Sequence, residues 1–169
     1  YVDRGGASLS VGDESYATAS DRPTLNVGGD YTLEFWVKYR PGSDEDAVVM
    51  TKGGTPGSGN GNFQVTLEGS GEDRRVRFTD NGYGDSITSN GGVPANVWTH
   101  VAYTWDGSTE SIYLNGQLDA QHSENSGPGA TSSPVRFGTD QPATDHYLEG
   151  HIDEVAFWTS QDALYARDQ

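Results

Sequence analysis

An all-β sandwich is the fold class this sequence predicts, on three observations. Apolar residues recur at every second position in several short segments, which is the side-chain period of a strand. The stretches between those segments are rich in turn formers, with 23 Gly and 7 Pro in the chain supplying the backbone freedom and fixed φ that tight connections need. No amphipathic helix of core length is evident, and many short strands with almost no helix imply two packed sheets, a sandwich or jelly roll.

The clearest strand runs from Tyr31 to Tyr39, with Tyr31, Leu33, Phe35, Val37 and Tyr39 on one face and Thr32, Glu34, Trp36 and Lys38 on the other. Such alternation marks a half-buried strand. Val48 to Met50, Phe63 to Leu67 and Val76 to Phe78 give shorter runs, and from Val97 to Trp105 the residues Val97, Thr99, Val101, Tyr103 and Trp105 share a face. Ser111 to Leu114 and Gln117 to Ala120 flank Asn115-Gly116, a pair that tolerates the positive φ angles of a type I′ turn and so predicts an antiparallel hairpin. Val135 to Phe137 is a further short strand. At the C-terminus, Thr159 to Asp162 has the form of a capping box ahead of Ala163, Leu164 and Ala166, which predicts a short helical turn.

With 169 residues and no internal boundary or repeat, the chain reads as one domain over 1–169, excised from a larger protein. The formal net charge is -15, from 25 acidic and 10 basic residues. That balance argues against nucleic acid as a partner, because phosphate binding needs a basic surface. No run reaches the ~18 apolar residues of a membrane span, so membrane insertion is not expected. The absence of Cys excludes disulfides, thiolate metal sites and a cysteine nucleophile. Four Trp, nine Tyr and five Phe provide core material that a disordered acidic tail lacks.

Three ordered segments then carry a family resemblance: Gly29-Asp-Tyr-Thr-Leu-Glu-Phe-Trp-Val-Lys38; Val97 to Gly107 followed by Ser111-Ile-Tyr-Leu-Asn-Gly116; and Gly150-His-Ile-Asp-Glu-Val-Ala-Phe-Trp158. Together with Met50-Thr-Lys52 they resemble the framework of the laminin-G-like jelly-roll domains of the concanavalin A-like lectin and glucanase superfamily. The resemblance implies two curved antiparallel sheets and a short terminal helix. It also implies the setting in which such domains are commonly found, as accessory modules of secreted or cell-surface proteins, beside other domains of the parent protein. Where many relatives have an Asp-Gly pair near the first strand, this chain has Val11-Gly12-Asp13-Glu14. For a structural calcium ion the resemblance points to Asp153. Asp13 and Asp30 are the candidate partners on nearby turns, since a hard cation needs clustered carboxylates and carbonyls.

The same superfamily contains glycoside hydrolases, which need two suitably spaced carboxyls. In the jelly-roll glucanases these come from one strand reading Glu-x-Asp-x-x-Glu. Here the corresponding strand has Glu149 and Asp153 in one parity, followed on that face by Val155 and Phe157, while Asp153 and Glu154 are expected on opposite faces. The triad is absent, and no catalytic residue is assigned. Trp36, Trp98, Trp105 and Trp158 lie within framework segments and are expected in the core or between the sheets. Polar aromatic loops are better placed to meet a ligand. The reading is therefore a non-catalytic, lectin-like module that binds a glycan or polysaccharide through edge loops, with Asp80, Asn81 and Tyr83 from one loop and Asp140, Asp145, His146 and Tyr147 from another. The alternative is a protein-interaction or spacer domain of a surface adhesin, and a hydrolase or lyase ranks last.

Overall fold

The computed structural model describes residues 7–22, 25, 29–53, 61–80, 86–123, 129, 131–140 and 146–159. Thirteen strands run through them: β1 (Leu9–Val11), β2 (Ala17–Ala19), β3 (Tyr31–Tyr39), β4 (Ala47–Gly53), β5 (Gly61–Glu68), β6 (Asp73–Asp80), β7 (Ser86–Thr88), β8 (Val93–Pro94), β9 (Thr99–Trp105), β10 (Thr109–Leu114), β11 (Gln117–Ser123), β12 (Val135–Phe137) and β13 (Gly150–Thr159). They form two antiparallel sheets. Sheet A has six strands in the order β1-β13-β3-β9-β10-β11, and sheet B has seven, in the order β2-β12-β4-β5-β6-β7 with β8 pairing β6. The expected C-terminal helical turn falls in 160–169, outside the described residues.

The inner faces are those the alternation foretold. Tyr31, Leu33, Phe35, Val37 and Tyr39 of β3 are all buried, as are Val101 and Tyr103 of β9 and Phe63, Val65 and Leu67 of β5. Aromatic contacts join the sheets across this core: Tyr103 stacks on Phe78 with ring centroids 3.6 Å apart, and Phe63 meets Phe157 at 5.6 Å. Tyr103 also donates to the buried Glu110 carboxylate at 2.6 Å. Burial, then neighbouring Tyr31 and Glu110, pushes the Tyr103 hydroxyl far above its ordinary pKa, so it remains a donor.

β4 shows no alternation, because its seven residues are buried on both faces. Lys52 is fully buried, and its ammonium is held by Asp21 Oδ1 at 2.6 Å and by the carbonyls of Ser133 and Thr131 at 2.7 and 3.1 Å. Arg74, also buried, donates to the carbonyls of Asp44 and Ser43 and lies over the Tyr39 ring. Both cations meet backbone carbonyls or a carboxylate locally, although Arg74 Nε has no hydrogen-bond partner among the described residues.

The Asn115-Gly116 hairpin forms as expected, with both residues at positive φ, 51° and 79°. A second irregularity departs from the sequence reading. On β13, Asp153 pairs with Trp36 but Ala156 pairs with Glu34, so one extra residue is inserted, and Glu154 takes a φ of 48°. This β-bulge reverses the parity of everything after it. Val155 and Phe157 therefore pack against the core, while Asp153 shares the outer face with Trp36, and the expected common face of Asp153, Val155 and Phe157 is corrected.

Candidate functional site

The residues facing away from the core on sheet B form an ordered polar row. Register aligns Arg136 with Thr51, Thr51 with Gln64, Gln64 with Thr79 and Thr79 with Ser86 across five strands. Their neighbours Phe137, Met50, Val65, Phe78 and Ile87 supply the opposite, core-facing side. Thr51 and Thr79 keep only 1% and 8% of their exposure, so the row is sunk below the surface although it lies outside the core. Beside it runs Thr66, Arg77 and Thr88. Glu68 ties that second row together, accepting from Arg77 Nη1 at 2.7 Å and Thr88 Oγ1 at 3.2 Å.

Several polar atoms on this face are buried without a hydrogen-bond partner among the described residues: Gln64 Oε1, Arg77 Nε and Arg136 Nε, with Asp140 Oδ1 at the rim. Unpaired buried polar atoms are uncommon, because each forfeits its water without replacement. Here an acceptor and two donors lie along adjacent strands of one sheet face.

At one end, the row meets a rim that the sequence reading found only in part. Arg136 lies over the half-exposed Tyr16 ring at 5.7 Å and reaches the Asp140 carbonyl at 3.5 Å, and His146 Nδ1 is 3.5 Å from Asp140 Oδ2. His146 is held at a positive φ of 58°, and its carbonyl accepts from Val48 N–H. Tyr147 N–H donates to Asp44 Oδ2, while Asp44 N–H donates to the Tyr147 carbonyl. Asp140, His146 and Tyr147 thus form one locally braced cluster.

Asp80, the described residue of the other predicted set, does not join them. Asp80 ends β6 opposite Phe63, in line with Lys52 and Val135, whereas His146 bonds Val48 near the other end of β4. Asp80 and His146 thus sit toward opposite ends of sheet B. Asn81, Tyr83 and Asp145 lie outside the described residues, as does the Asp80 side chain.

Nor does the structure bring Asp13, Asp30 and Asp153 together. Asp13 follows β1 beside the Gly150 end of β13, Asp153 sits mid-strand opposite Trp36, and Asp30 precedes Tyr31 at the far end of β3. Strand pairing fixes those separations. No group of three His, Cys, Asp or Glu suited to a metal ion occurs among the described residues.

Residues 11–165 match a sequence family described as the concanavalin A-like lectin/glucanases superfamily. The chain belongs to that superfamily. No curated protein sequence matches it, but solved structures of the superfamily fold do. The CBM40 of the Ruminococcus gnavus IT-sialidase, bound to α2,3-sialyllactose, superposes with a TM-score of 0.70 and 16% identity, covering 96% of each chain. Domain 4 of AbnA, an extracellular GH43 arabinanase from Geobacillus stearothermophilus in complex with arabinotriose, gives 0.64 at 18% identity over 91% of this chain and 76% of that one. The heptameric SAP-like pentraxin of Limulus polyphemus gives 0.58 at 12% identity, over 88% and 78%. At these identities the likeness is one of fold.

Among site features, Tyr16, Gln64 and Arg136 were missed in the sequence. Tyr16 lies in an otherwise featureless Ser-Tyr-Ala stretch, and Gln64 and Arg136 read as ordinary outward strand positions. Only register reveals that they share a surface.

Proposed function

We propose that this domain is a non-catalytic glycan-binding module of a secreted or surface protein, holding its ligand on the outer face of sheet B. The observation that carries this reading is the polar Arg136-Thr51-Gln64-Thr79 row, on which Gln64 Oε1 and Arg136 Nε have no hydrogen-bond partner among the described residues, with Arg77 Nε in the row beside it. Sugar hydroxyls both donate and accept, so a glycan lying along the row matches its mixture of amide, hydroxyl and guanidinium groups. Tyr16, 46% exposed at the rim, offers an aromatic face for a ring, and Asp140 with His146 offers further polar contacts. Two structural neighbours held sugars, arabinotriose and α2,3-sialyllactose, which supports the ligand class; fold alone does not decide it. A non-catalytic role agrees with the β13 carboxylates, since Asp153 and Glu154 adjoin on a bulge and do not face each other across a cleft.

A glycan array spanning neutral and acidic polysaccharides, followed by calorimetric titration, tests this. Arg136→Ala and Tyr16→Ala should each weaken the best ligand by roughly tenfold, the effect of losing ~1.4 kcal/mol of contact. Failure of the parent domain to bind any glycan would sink the proposal, and full affinity in both variants would remove the site from sheet B.

A further inference from the structure

The opposite surface of the molecule carries a second set of features that the sheet B site does not use. On the outer face of sheet A, register places Ala156, Glu34 and Ala102 side by side on three adjacent strands, with Tyr113 next in line on β10. The small alanines leave low ground on both sides of Glu34. One wall of this trough is the neighbouring row of Asp153, Trp36 and His100, where the Trp36 and His100 rings lie 5.3 Å apart. Toward the other side stands Trp158, 38% exposed. The carboxylate on the floor is fixed from both sides: Trp158 Nε1–H donates to Glu34 Oε1 at 2.8 Å, and His100 Nε2 lies 3.5 Å from Glu34 Oε2. From Ala156 to Ala102 the floor spans two strand spacings, roughly 10 Å. The four-tryptophan expectation is corrected here too: Trp105 packs against the core, whereas Trp36, Trp98 and Trp158 are on or beside this outer face.

We propose that this trough is a second binding site, which takes a short neutral, hydroxyl-rich glycan segment about two sugar rings long. It lies on the other sheet from the site of the preceding section and shares only the ligand class with it. Indole faces offer apolar area for the C–H faces of sugar rings, while a held carboxylate is a directed acceptor for ring hydroxyls, stronger than a neutral one. A protein partner fits this face less well. Docking it would desolvate Glu34, Asp153, Glu154 and Lys38 with no complementary charge in view, whereas a sugar replaces their water with hydroxyls. An acidic glycan is opposed by the same carboxylates and by the net charge of -15.

The test titrates the parent domain and the Trp158→Ala, Glu34→Ala and Arg136→Ala variants with neutral xylo-, arabino-, manno- and cello-oligosaccharides, following tryptophan emission and heat. Melting curves of the variants confirm that the fold is retained; Trp158 and Glu34 lie outside the core. The expected result is binding of at least one neutral series that perturbs tryptophan emission and is weakened roughly tenfold or more by Trp158→Ala and Glu34→Ala. That event should persist in Arg136→Ala, which removes the sheet B contribution. Absence of neutral-sugar binding, or binding indifferent to Trp158 and Glu34, overturns the second site. Loss confined to Arg136→Ala overturns it while leaving the sheet B reading intact; a separate binding event lost only in Arg136→Ala keeps both sites, and the absence of any such event counts against the sheet B reading alone.

Discussion

At His151 on β13, burial and the neighbouring Lys38 and Arg40 cations hold the imidazole below its ordinary pKa. Its ring sits 6.2 Å from Trp98, which also lies under Lys38, and Ser8 Oγ is 3.3 Å from its Nδ1. The folded state therefore binds a proton at this position less readily than the unfolded chain. By linkage, this stabilisation is fully present above the unfolded value of ~6.5 and is lost as pH falls through the depressed native value. Thermal melts of the parent and His151→Asn between pH 7.5 and 5 should show the parent losing more stability on acidification. Parallel curves would mean that the ring titrates alike in both states. The sequence could not show this environment, because Trp98, Lys38 and Arg40 come from two other segments.

Among the elements, the β10-β11 hairpin shows where sequence reading succeeds and where it stops. Asn115-Gly116 announces its turn through local backbone chemistry, and β3 announces its buried face through strict alternation. Bulges give no such local signal, since an inserted residue is defined by the partner strand. On β11 the extra residue is Asp119: Ile112 pairs with Ala120 and Tyr113 with Leu118. The bulge turns the Asp119 carboxylate toward the loop before β8, where it accepts from the Asn90 and Gly91 N–H groups at 2.5 and 2.9 Å. One residue thus ties the edge of sheet A to a loop of sheet B. The polar row on sheet B was hidden for a similar reason, as it exists only once β12 is known to lie between β2 and β4. Asp119→Ala removes a charged acceptor from two backbone donors at a partly exposed position and should cost about 1.5 kcal/mol. That corresponds to a fall of roughly 3–6 °C in melting temperature for a domain of this size. Asp119→Asn, which keeps one acceptor oxygen, should recover part of the loss. An unchanged melting temperature in Asp119→Ala would show that the clamp is energetically idle.

Over the whole molecule, charge is the least balanced quantity. The excess of acidic over basic residues gives -15, and three of the ten cations are already committed: Lys52 to Asp21 and Arg77 to Glu68, with Arg74 buried against backbone carbonyls. The remaining carboxylates repel one another across the surface, a cost that folding increases by bringing them closer. Because the screening length falls from ~30 Å at 0.01 M to ~3 Å at 1 M ionic strength, sodium chloride should raise the melting temperature, by roughly 3 °C for each ~1 kcal/mol of repulsion relieved. Divalent cations extend the argument. With Asp13, Asp30 and Asp153 held apart by strand pairing, these three carboxylates do not meet around one ion. Calcium and magnesium at equal concentration in 0.15 M salt should therefore shift the melting curve equally, and Asp153→Ala should leave both shifts unchanged. A calcium-only excess of several degrees that disappears in Asp153→Ala would mean that the ion gathers ligands around β13 after all, and that Asp153 anchors it.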